Sequence, residues 1–215
     1  DFTTVIRYQG LKPGQLYRYE VHVDGKPQRT ANAQFHTPAR TGTSGKTRIV
    51  FGGGAGYVPV WERMWDTIRG QRPDALLMLG DNVYIDDPKT PEMQRFHYYR
   101  RQSQPLWAKF ARKVPIYAIW DDHDFTTNDG WGGPAIEEPK WKRDVWNVFK
   151  DNWDNPYYGG GEKQPGCWFD FWIGKVHFVL IDGRYYRESP RSKDNPSMLG
   201  PAQMKWLKKT LKQPA

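Results

Sequence analysis

One apolar segment constrains the fold of this chain more than any other. Residues Ala75–Leu79 read ALLML, with no polar residue among them. Such a run is typical of a strand buried on both faces, as in a parallel sheet covered by helices. Predicted strands and helices alternate along the chain, which indicates an α/β fold. The predicted strands are 48–52, 75–79, 114–120, 167–173 and 175–181, and the predicted helices are 59–69, 91–112, 138–152 and 203–212.

The last of these helices has an amphipathic pattern. Met204, Leu207 and Leu211 recur at helical spacing, with lysines between them. This spacing predicts that the three apolar side chains face inward and that the lysines face solvent.

Residues 1–38 predict a separate β module. Apolar and aromatic residues at positions 17, 19, 21 and 23 alternate with polar ones, which predicts a half-buried strand over 17–23 that ends at an Asp24-Gly25 turn, and a Pro-Gly turn precedes Tyr17. This arrangement resembles the tyrosine corner of an immunoglobulin or fibronectin type III sandwich. About three strands are visible where such a sandwich has about seven, so the module is expected to be partial. Residues 39–47 predict a Gly/Ser/Thr linker, and 48–215 a second domain.

The net charge of +8 is unevenly distributed. Residues 1–40 hold 6 basic and 3 acidic residues, 41–190 hold 20 of each, and 191–215 hold 6 and 1. A nucleic-acid track normally runs along the working face of a domain, so excess charge at the two ends argues against that partner. The single cysteine excludes an internal disulfide and a Cys-rich zinc site. The sequence contains no apolar run of membrane-spanning length, and its opening residues show no signal-peptide pattern.

Two predicted strands run directly into polar motifs. The 75–79 strand is followed by Gly80-Asp81-Asn82-Val83-Tyr84, and the 114–120 strand by Asp121-Asp122-His123-Asp124. Ligands of open α/β sheets collect at the carboxyl ends of strands. Carboxylates gathered there repel one another unless a cation binds them, so the motifs predict a metal site. The alternatives are a turn or cap residue for Asp81 and a solvated acidic loop for the second motif.

The two motifs carry a family resemblance. GDNVYID, followed about forty residues later by WDDHD, resembles the alkaline phosphatase D (PhoD-like) branch of the metallophosphoesterases. The segments FGGGAGYVPVWERMWDTI, VLIDGRYYR and LGPAQMKWLKKTL resemble further parts of that family. The resemblance implies an αββα sandwich, here expected to be incomplete at its C-terminus and preceded by part of an Ig-like domain.

The resemblance also implies roles for individual residues. Asp81 matches the carboxylate that bridges two metal ions, and Tyr84 matches a phenolate ligand of ferric iron. Asp122 stands where the superfamily has a metal ligand and is implied in catalysis. His123 matches the histidine that contacts the phosphate and the leaving group.

Three further residues are implied around this group. Asn82 and Asp121 resemble partners that support the ligands. Arg184 could reach a phosphate oxygen, or it could form a structural salt bridge with Asp182 or a neighbour. Both alternatives stay open.

The implied activity is metal-dependent hydrolysis of phosphate monoesters, diesters or both, by in-line attack of a metal-bound hydroxide. The implied cofactors are two metal ions drawn from Ca, Fe, Zn and Mn, the implied partner is a phosphate-ester substrate, and the implied location is outside the cytoplasm. An alternative is a non-catalytic relative that binds anionic or phosphorylated ligands through an altered site.

The sequence departs from the family pattern in two places. Gly54 stands at the position of a family cysteine that binds iron, so the metal there is expected to be changed or absent. The family also uses a downstream metal-binding histidine, and none of the remaining histidines fits that role, which predicts that this chain is part of a longer polypeptide. The remaining histidines are His22, His36, His97 and His177.

Three tryptophans follow the second motif. Trp131, Trp141 and Trp153 could line a substrate pocket or belong to the core around the 138–152 helix. The helical pattern favours the core.

Overall fold

The structure is a computed structural model that describes residues 5–28, 34–192 and 195–214. Parts of the predicted β module, at residues 1–4 and 29–33, lie outside the described residues. Within the described ranges, no helix is long and apolar enough to cross a membrane.

The N-terminal segment forms two antiparallel strand pairs. Strand β1 (Leu16–Arg18) pairs with β4 (Gln34–His36), and β2 (Val21–Val23) pairs with β3 (Lys26–Gln28). The prediction of one continuous strand over 17–23 is wrong, because the chain changes partner after β1. The Asp24-Gly25 turn, with φ of +50° and +74°, folds β2 back onto β3, while the Tyr17 ring stacks on Phe35 of β4.

The predicted tyrosine corner has a counterpart in this segment. The backbone N–H of Lys12 donates to the Tyr17 hydroxyl at 2.8 Å. A hydrogen bond between a tyrosine hydroxyl and the backbone a few residues upstream is the defining contact of that corner. The assignment of residues 1–38 to an Ig-like module stays a prediction.

A parallel sheet forms the centre of the remaining chain. Its strands are β5 (Ile49–Gly52), β6 (Ala75–Leu79) and β7 (Ile116–Ile119), in the order β5-β6-β7. Residues 75–78 are all buried, which confirms that β6 is covered on both faces. The α/β prediction is therefore correct.

Helices pack against this sheet and contribute most of the aromatic core. The predicted helix over 59–69 divides into a 3-10 turn and α1 (Met64–Gly70), and the region 91–112 divides into α2 (Pro91–Gln102) and α3 (Pro105–Ala111). The second break falls before Pro105, because a residue preceding proline is driven out of the helical region, and Gln104 has ψ of 134°. Two further helices follow, α4 (Asp122–Phe125) and α5 (Trp141–Asn152).

A second, antiparallel pair lies beside the parallel sheet. Strands β8 (Phe169–Ile173) and β9 (Val176–Leu180) form the predicted hairpin. The Tyr117 ring of β7 stacks on Phe171 of β8 at 3.8 Å, so the two sheets meet through side chains. The Asn155 side chain bonds both the N–H and the carbonyl of Ala118, at 3.0 and 2.8 Å, and thereby covers the edge of β7.

The final helix, α6 (Gly200–Thr210), has a different buried face from the predicted one. Gln203 and Thr210 are buried, whereas Met204 and Leu211 are 39% and 67% exposed. The reason is a polar contact, because the Gln203 side chain accepts from the Asp182 N–H at 2.7 Å and donates to its carbonyl at 2.8 Å. These two bonds rotate the helix so that Gln203 faces the core.

Candidate metal centre

The ends of β6 and β7 approach each other closely at Gly80. A methyl group on this residue would lie 2.5 Å from Cβ of Asp121, and its φ of +100° favours glycine. Asp81 follows with φ of +51°, in the left-handed region that costs energy for a residue with a side chain. Backbone strain of this kind concentrates at functional sites.

Three potential ligands converge at this edge. Donor atoms of Asp81, Asp122 and His123 all lie within 4.8 Å of one another. One oxygen of Asp81, Oδ1, is buried and has no hydrogen-bond partner among the described residues. Burial raises the pKa of Asp81, and the charges of Asp122 and Asp121 raise it further. A cation would satisfy the oxygen and relieve the repulsion, so the donors fit a metal ion.

Tyr84 adjoins the three donors. Its hydroxyl donates to Oδ2 of Asp81 at 3.2 Å, and its ring centre lies 4.2 Å from that of His123. Burial, followed by the negative charge of Asp81, raises the pKa of Tyr84. The phenol is therefore protonated in the metal-free chain, and a bound cation would favour its ionised form.

Arg184 ties the second motif together. Its Nη2 lies 3.3 Å from Oδ1 of Asp122, and its Nε donates to Asp121. Burial opposes ionisation of Asp122, but the bond from the Asp129 N–H and the charge of Arg184 lower its pKa overall. Of the two alternatives for Arg184, the geometry favours a salt bridge, and its partners are Asp121 and Asp122.

Asn82 is fully buried behind the ligands. Its side-chain amide donates to the Ile119 carbonyl at 2.8 Å and to Asp124 at 3.2 Å. The Asp124 carboxylate also accepts the backbone N–H groups of Asn82, Val83 and Asp121 at 3.0–3.1 Å. Burial raises the pKa of Asp124 to about 7. These bonds hold the end of β6 against the end of β7.

His123 is oriented by a carboxylate that the sequence argument did not assign. Its Nδ1 lies 2.6 Å from Oδ1 of Asp86. A carboxylate can only accept, so Nδ1–H donates to it and Nε2 is left for a ligand or substrate. Burial is the largest single influence and lowers the pKa of His123, but the bond to Asp86 and the charges of Asp86, Asp81 and Asp122 together outweigh it, and the net shift is upward.

A family model for PhoD-like phosphatases matches residues 49–215. The chain belongs to the PhoD-like phosphatase family. A search of curated proteins found no match.

Two solved structures share the fold of this PhoD-like chain. A structure of PhoD superposes with a TM-score of 0.74 at 17% identity, covering 94% of this chain and 46% of that one. The structure of purple acid phosphatase PPD1 from yellow lupin (Lupinus luteus) seeds superposes with a TM-score of 0.61 at 16% identity, covering 94% and 34%. The metallophosphoesterase-like fold prediction is confirmed. The chain spans less than half the length of either relative.

The PhoD-like chain also has an arginine that the sequence argument missed. Arg101 on α2 is buried, and its guanidinium donates to the carbonyls of Asn82 and Ala55. It pairs with Glu62 at 3.1 Å. The guanidinium thus connects the loop after β5 to the loop after β6. In the sequence it is one of two adjacent arginines on a predicted helix, which gave no signal of this role.

Gly54 occupies the loop after β5, facing the same edge. Its N–H donates to the Gly80 carbonyl at 3.1 Å, and its φ is +67°. Gly54 has no side chain to offer a metal. The resemblance to the PhoD-like family implies a cysteine at this position, so the implied thiolate ligand is missing from this chain.

The other singled-out histidines and tryptophans lie elsewhere. His177 pairs with Asp170 at 2.7 Å on the β8-β9 hairpin. Trp153 is 6% exposed and Trp141 packs on Phe125, which confirms the core prediction for both. Trp131 is 39% exposed and lies outside the helix, so the core prediction is wrong for it. The remaining histidines, His22 in β2, His36 in β4 and His97 in α2, are not among the three converging donors.

Proposed function

We propose that the protein hydrolyses phosphate esters with the aid of metal ions. The single observation that carries this proposal is the buried oxygen of Asp81, which no described residue bonds, beside Asp122 and His123. An unsatisfied buried carboxylate oxygen costs free energy, and a bound cation would remove that cost. Membership of the PhoD-like family supports the choice of phosphate esters.

Asp81, Asp122 and Tyr84 would hold the metal. Bound cations, two of them drawn from Ca, Fe, Zn and Mn, would neutralise phosphate charge and make water a stronger nucleophile. Arg184 holds Asp122 and Asp121 in place while the substrate binds. Asn82, through Asp124, fixes the strand ends from which the ligands project.

His123 would protonate the alcohol that leaves the phosphate ester. With Nδ1 held by Asp86, Nε2 is free to donate a proton to the ester oxygen as its bond to phosphorus breaks. The ring contact with Tyr84 restricts where that nitrogen points.

The proposal includes a division of the chain into domains. Residues 1–38 would form part of an Ig-like module, 39–47 a linker, and 48–215 the N-terminal portion of a catalytic domain. Diester hydrolysis beside monoester hydrolysis, and export of the protein, belong to this proposal through the family resemblance.

A second candidate is binding of anionic ligands without turnover. The observation in its favour is Gly54, which supplies no side-chain donor where the family has a cysteine. Within the described residues, one group of three donors was found, with Asp122 already paired to Arg184.

One assay separates the two candidates. The intact natural protein is tested with 4-nitrophenyl phosphate and bis(4-nitrophenyl) phosphate in the presence of Ca²⁺, Mn²⁺, Zn²⁺ or iron. Catalysis predicts turnover with at least one metal, and a loss on the order of 10³-fold in Asp81→Asn, since one preorganised charge is removed. Asp144→Asn, which changes an exposed aspartate on α5, is the matched control. Absence of turnover with every metal would favour the binding function.

A further inference from the structure

A cavity of about 440 Å³ opens beside the metal centre. The loop 54–58 forms one side of it, and Trp61, Met64, Tyr84 and Arg100 form the rest. We call this cavity the aromatic pocket. None of its residues except Tyr84 belongs to the proposed catalytic machinery.

The aromatic pocket is continuous with the metal centre through Tyr84. The Tyr84 hydroxyl bonds Asp81, while its ring forms a wall of the pocket. Gly56 lies against that ring so closely that a methyl group there would fall 2.5 Å from Cδ2 of Tyr84. Gly54 leaves the passage open, because a methyl group at that position would meet only the Tyr84 hydroxyl, at 3.8 Å. A phosphate held by a cation at Asp81 would therefore lie beside the pocket, which is open to its ester group.

The walls suit a flat apolar group. Trp61 is 56% exposed and Tyr84 is 43% exposed, so large ring faces remain available in the absence of a ligand. The Tyr57 ring is covered on one face by the Arg100 guanidinium, whose carbon lies 4.7 Å from the ring centre. Aromatic faces bind planar groups by stacking and by burial of apolar area.

Arg100 adds an uncompensated positive charge. No carboxylate in the described parts of the chain lies within ion-pair distance of it, and its buried Nε finds no hydrogen-bond partner there. Its Nη2 lies 3.3 Å from Nδ1 of His97, and burial together with the charge of Arg100 lowers the pKa of that histidine. Two other arginines of α2 contrast with it, because Arg95 pairs with Asp151 and Arg101 with Glu62.

We propose that the aromatic pocket binds the alcohol part of the phosphate ester, and that it selects a flat apolar group bearing a second negative charge. Trp61 and Tyr84 contact the flat group, and Arg100 binds the second charge. This assignment rests on the proposed function for its placement beside the phosphate.

A matched pair of substrates tests the selection. The natural protein is assayed for phosphate release from phenyl phosphate and from 4-sulfophenyl phosphate, which differ by one negative charge. Arg100→Met is expected to lower kcat/KM for the sulfonated ester on the order of 10–100-fold, the range for one charge-assisted hydrogen bond, and for phenyl phosphate by less than about threefold. Arg95→Met, on the same helix, is the control and should leave both values unchanged. Equal losses on both esters, or no loss on either, would overturn the role of Arg100.

A binding measurement separates failure of the pocket from failure of the catalytic proposal. 4-Hydroxybenzenesulfonate carries the ring and the second charge but no phosphate, and calorimetry reports its binding without turnover. We expect the compound to bind the natural protein and Arg95→Met equally well, and to bind Arg100→Met and Trp61→Ala at least about tenfold more weakly. This result would support the pocket even if neither ester is hydrolysed. No binding to the natural protein at millimolar concentration would overturn the pocket and leave the catalytic proposal standing on its own assay. Circular dichroism of each variant, with Arg100→Gln as a second replacement, checks that folding is retained.

Discussion

Two aspartates that follow strands show opposite environments. Asp81 follows β6, and its Oδ1 is buried without a partner among the described residues. Asp182 follows β9, is 1% exposed, and accepts from the Trp120 indole at 2.8 Å. Its carboxylate also accepts backbone N–H groups of Cys167, Arg184 and Tyr185 at 2.8–3.0 Å.

The difference lies in unused hydrogen-bonding capacity, since both residues are acidic and both follow a strand. The bonds to Asp182 join the residue after β7, the segment before β8 and the segment after β9, so this carboxylate stabilises the fold. Asp81 retains an acceptor that a ligand can use. Residue type and position in the sheet therefore do not separate a structural aspartate from a functional one, whereas the partners of each oxygen do.

The largest expected effect is on stability when Asp182 is removed. Asp182→Ala leaves an indole and three backbone donors without their acceptor, and we expect the free energy of unfolding to fall by about 3–5 kcal/mol. Asp81→Asn removes a repelled charge, and we expect a change of less than about 1 kcal/mol in metal-free protein, in either direction. Urea unfolding in the presence of EDTA measures both. Equal losses would show that the two aspartates do not differ in the way the geometry indicates.

The second-largest expected effect is a pH dependence of the free energy of unfolding, caused by a buried lysine near Asp182. Lys142 donates to the Gly133 and Ala135 carbonyls and lies 4.2 Å from the Tyr185 ring centre. Burial lowers its pKa from 10.5 to about 8. Between these values the unfolded chain binds more protons than the folded one, so the contribution of Lys142 to the free energy of unfolding increases with pH, by up to about 3 kcal/mol.

Unfolding measured from pH 7.5 to 10 in the natural protein and in Lys142→Met tests this contribution. The natural protein should gain stability relative to the variant as pH rises. Lys109→Met, which removes an exposed lysine on α3, is the control. Parallel curves for the natural protein and Lys142→Met would contradict the prediction.

Arg101 supports the loops on either side of Asp81, and its replacement tests how much the metal site depends on that support. Arg101→Lys retains the positive charge opposite Glu62. A single ammonium group, however, cannot make both of the hydrogen bonds that the guanidinium donates to the carbonyls of Asn82 and Ala55. We expect Mn²⁺ affinity to fall about 10-fold, the lower end of the range for residues that orient metal ligands. Calorimetric titration with Mn²⁺ measures it, and Arg95→Lys is the control on the same helix. Unchanged affinity would show that the two loops are held in place without Arg101.

The smallest expected effect follows from restoring a thiol. Gly54→Cys places a side chain at φ of +67°, where strain should cost about 1 kcal/mol, although there is space for its Cβ. We expect the variant to bind ferric iron more tightly than the natural protein and to develop a thiolate charge-transfer absorption in addition to any absorption that the Tyr84 phenolate gives. Gly52→Cys, at the end of β5 without positive φ, should develop neither property. An identical spectrum in both variants would rule out a role for position 54 at the metal.

Much of the fold was predictable because it depends on local pattern. The apolar run of β6 coincides with the strand in the structure, and the motifs after β6 and β7 converge as the parallel topology requires. Because Asp81, Asp122 and His123 follow two neighbouring parallel strands, their positions in the sequence were enough to predict that they lie close together. The α6 face could not be predicted, because a long-range bond between Gln203 and Asp182 outweighs the apolar pattern.

The supporting residues were missed for the same physical reason. Asp86 reaches His123 and Arg101 reaches Ala55 across separations of 37 and 46 residues. Neither contact leaves a periodic mark in the sequence. The one available signal was the acidic pair Asp86-Asp87 directly after the first motif, which indicated charge near the site but not its partner.

The unsatisfied oxygen of Asp81 also has a consequence for protein turnover. A cation that binds the folded chain and not the unfolded one stabilises it by about 2.7 kcal/mol when present at 100 times its dissociation constant. Under the proposed function, the ion would thus govern how often the chain opens to proteases as well as whether it acts. Scarcity of the metal would then shorten the lifetime of the protein, and supply of the metal would set how much of it accumulates.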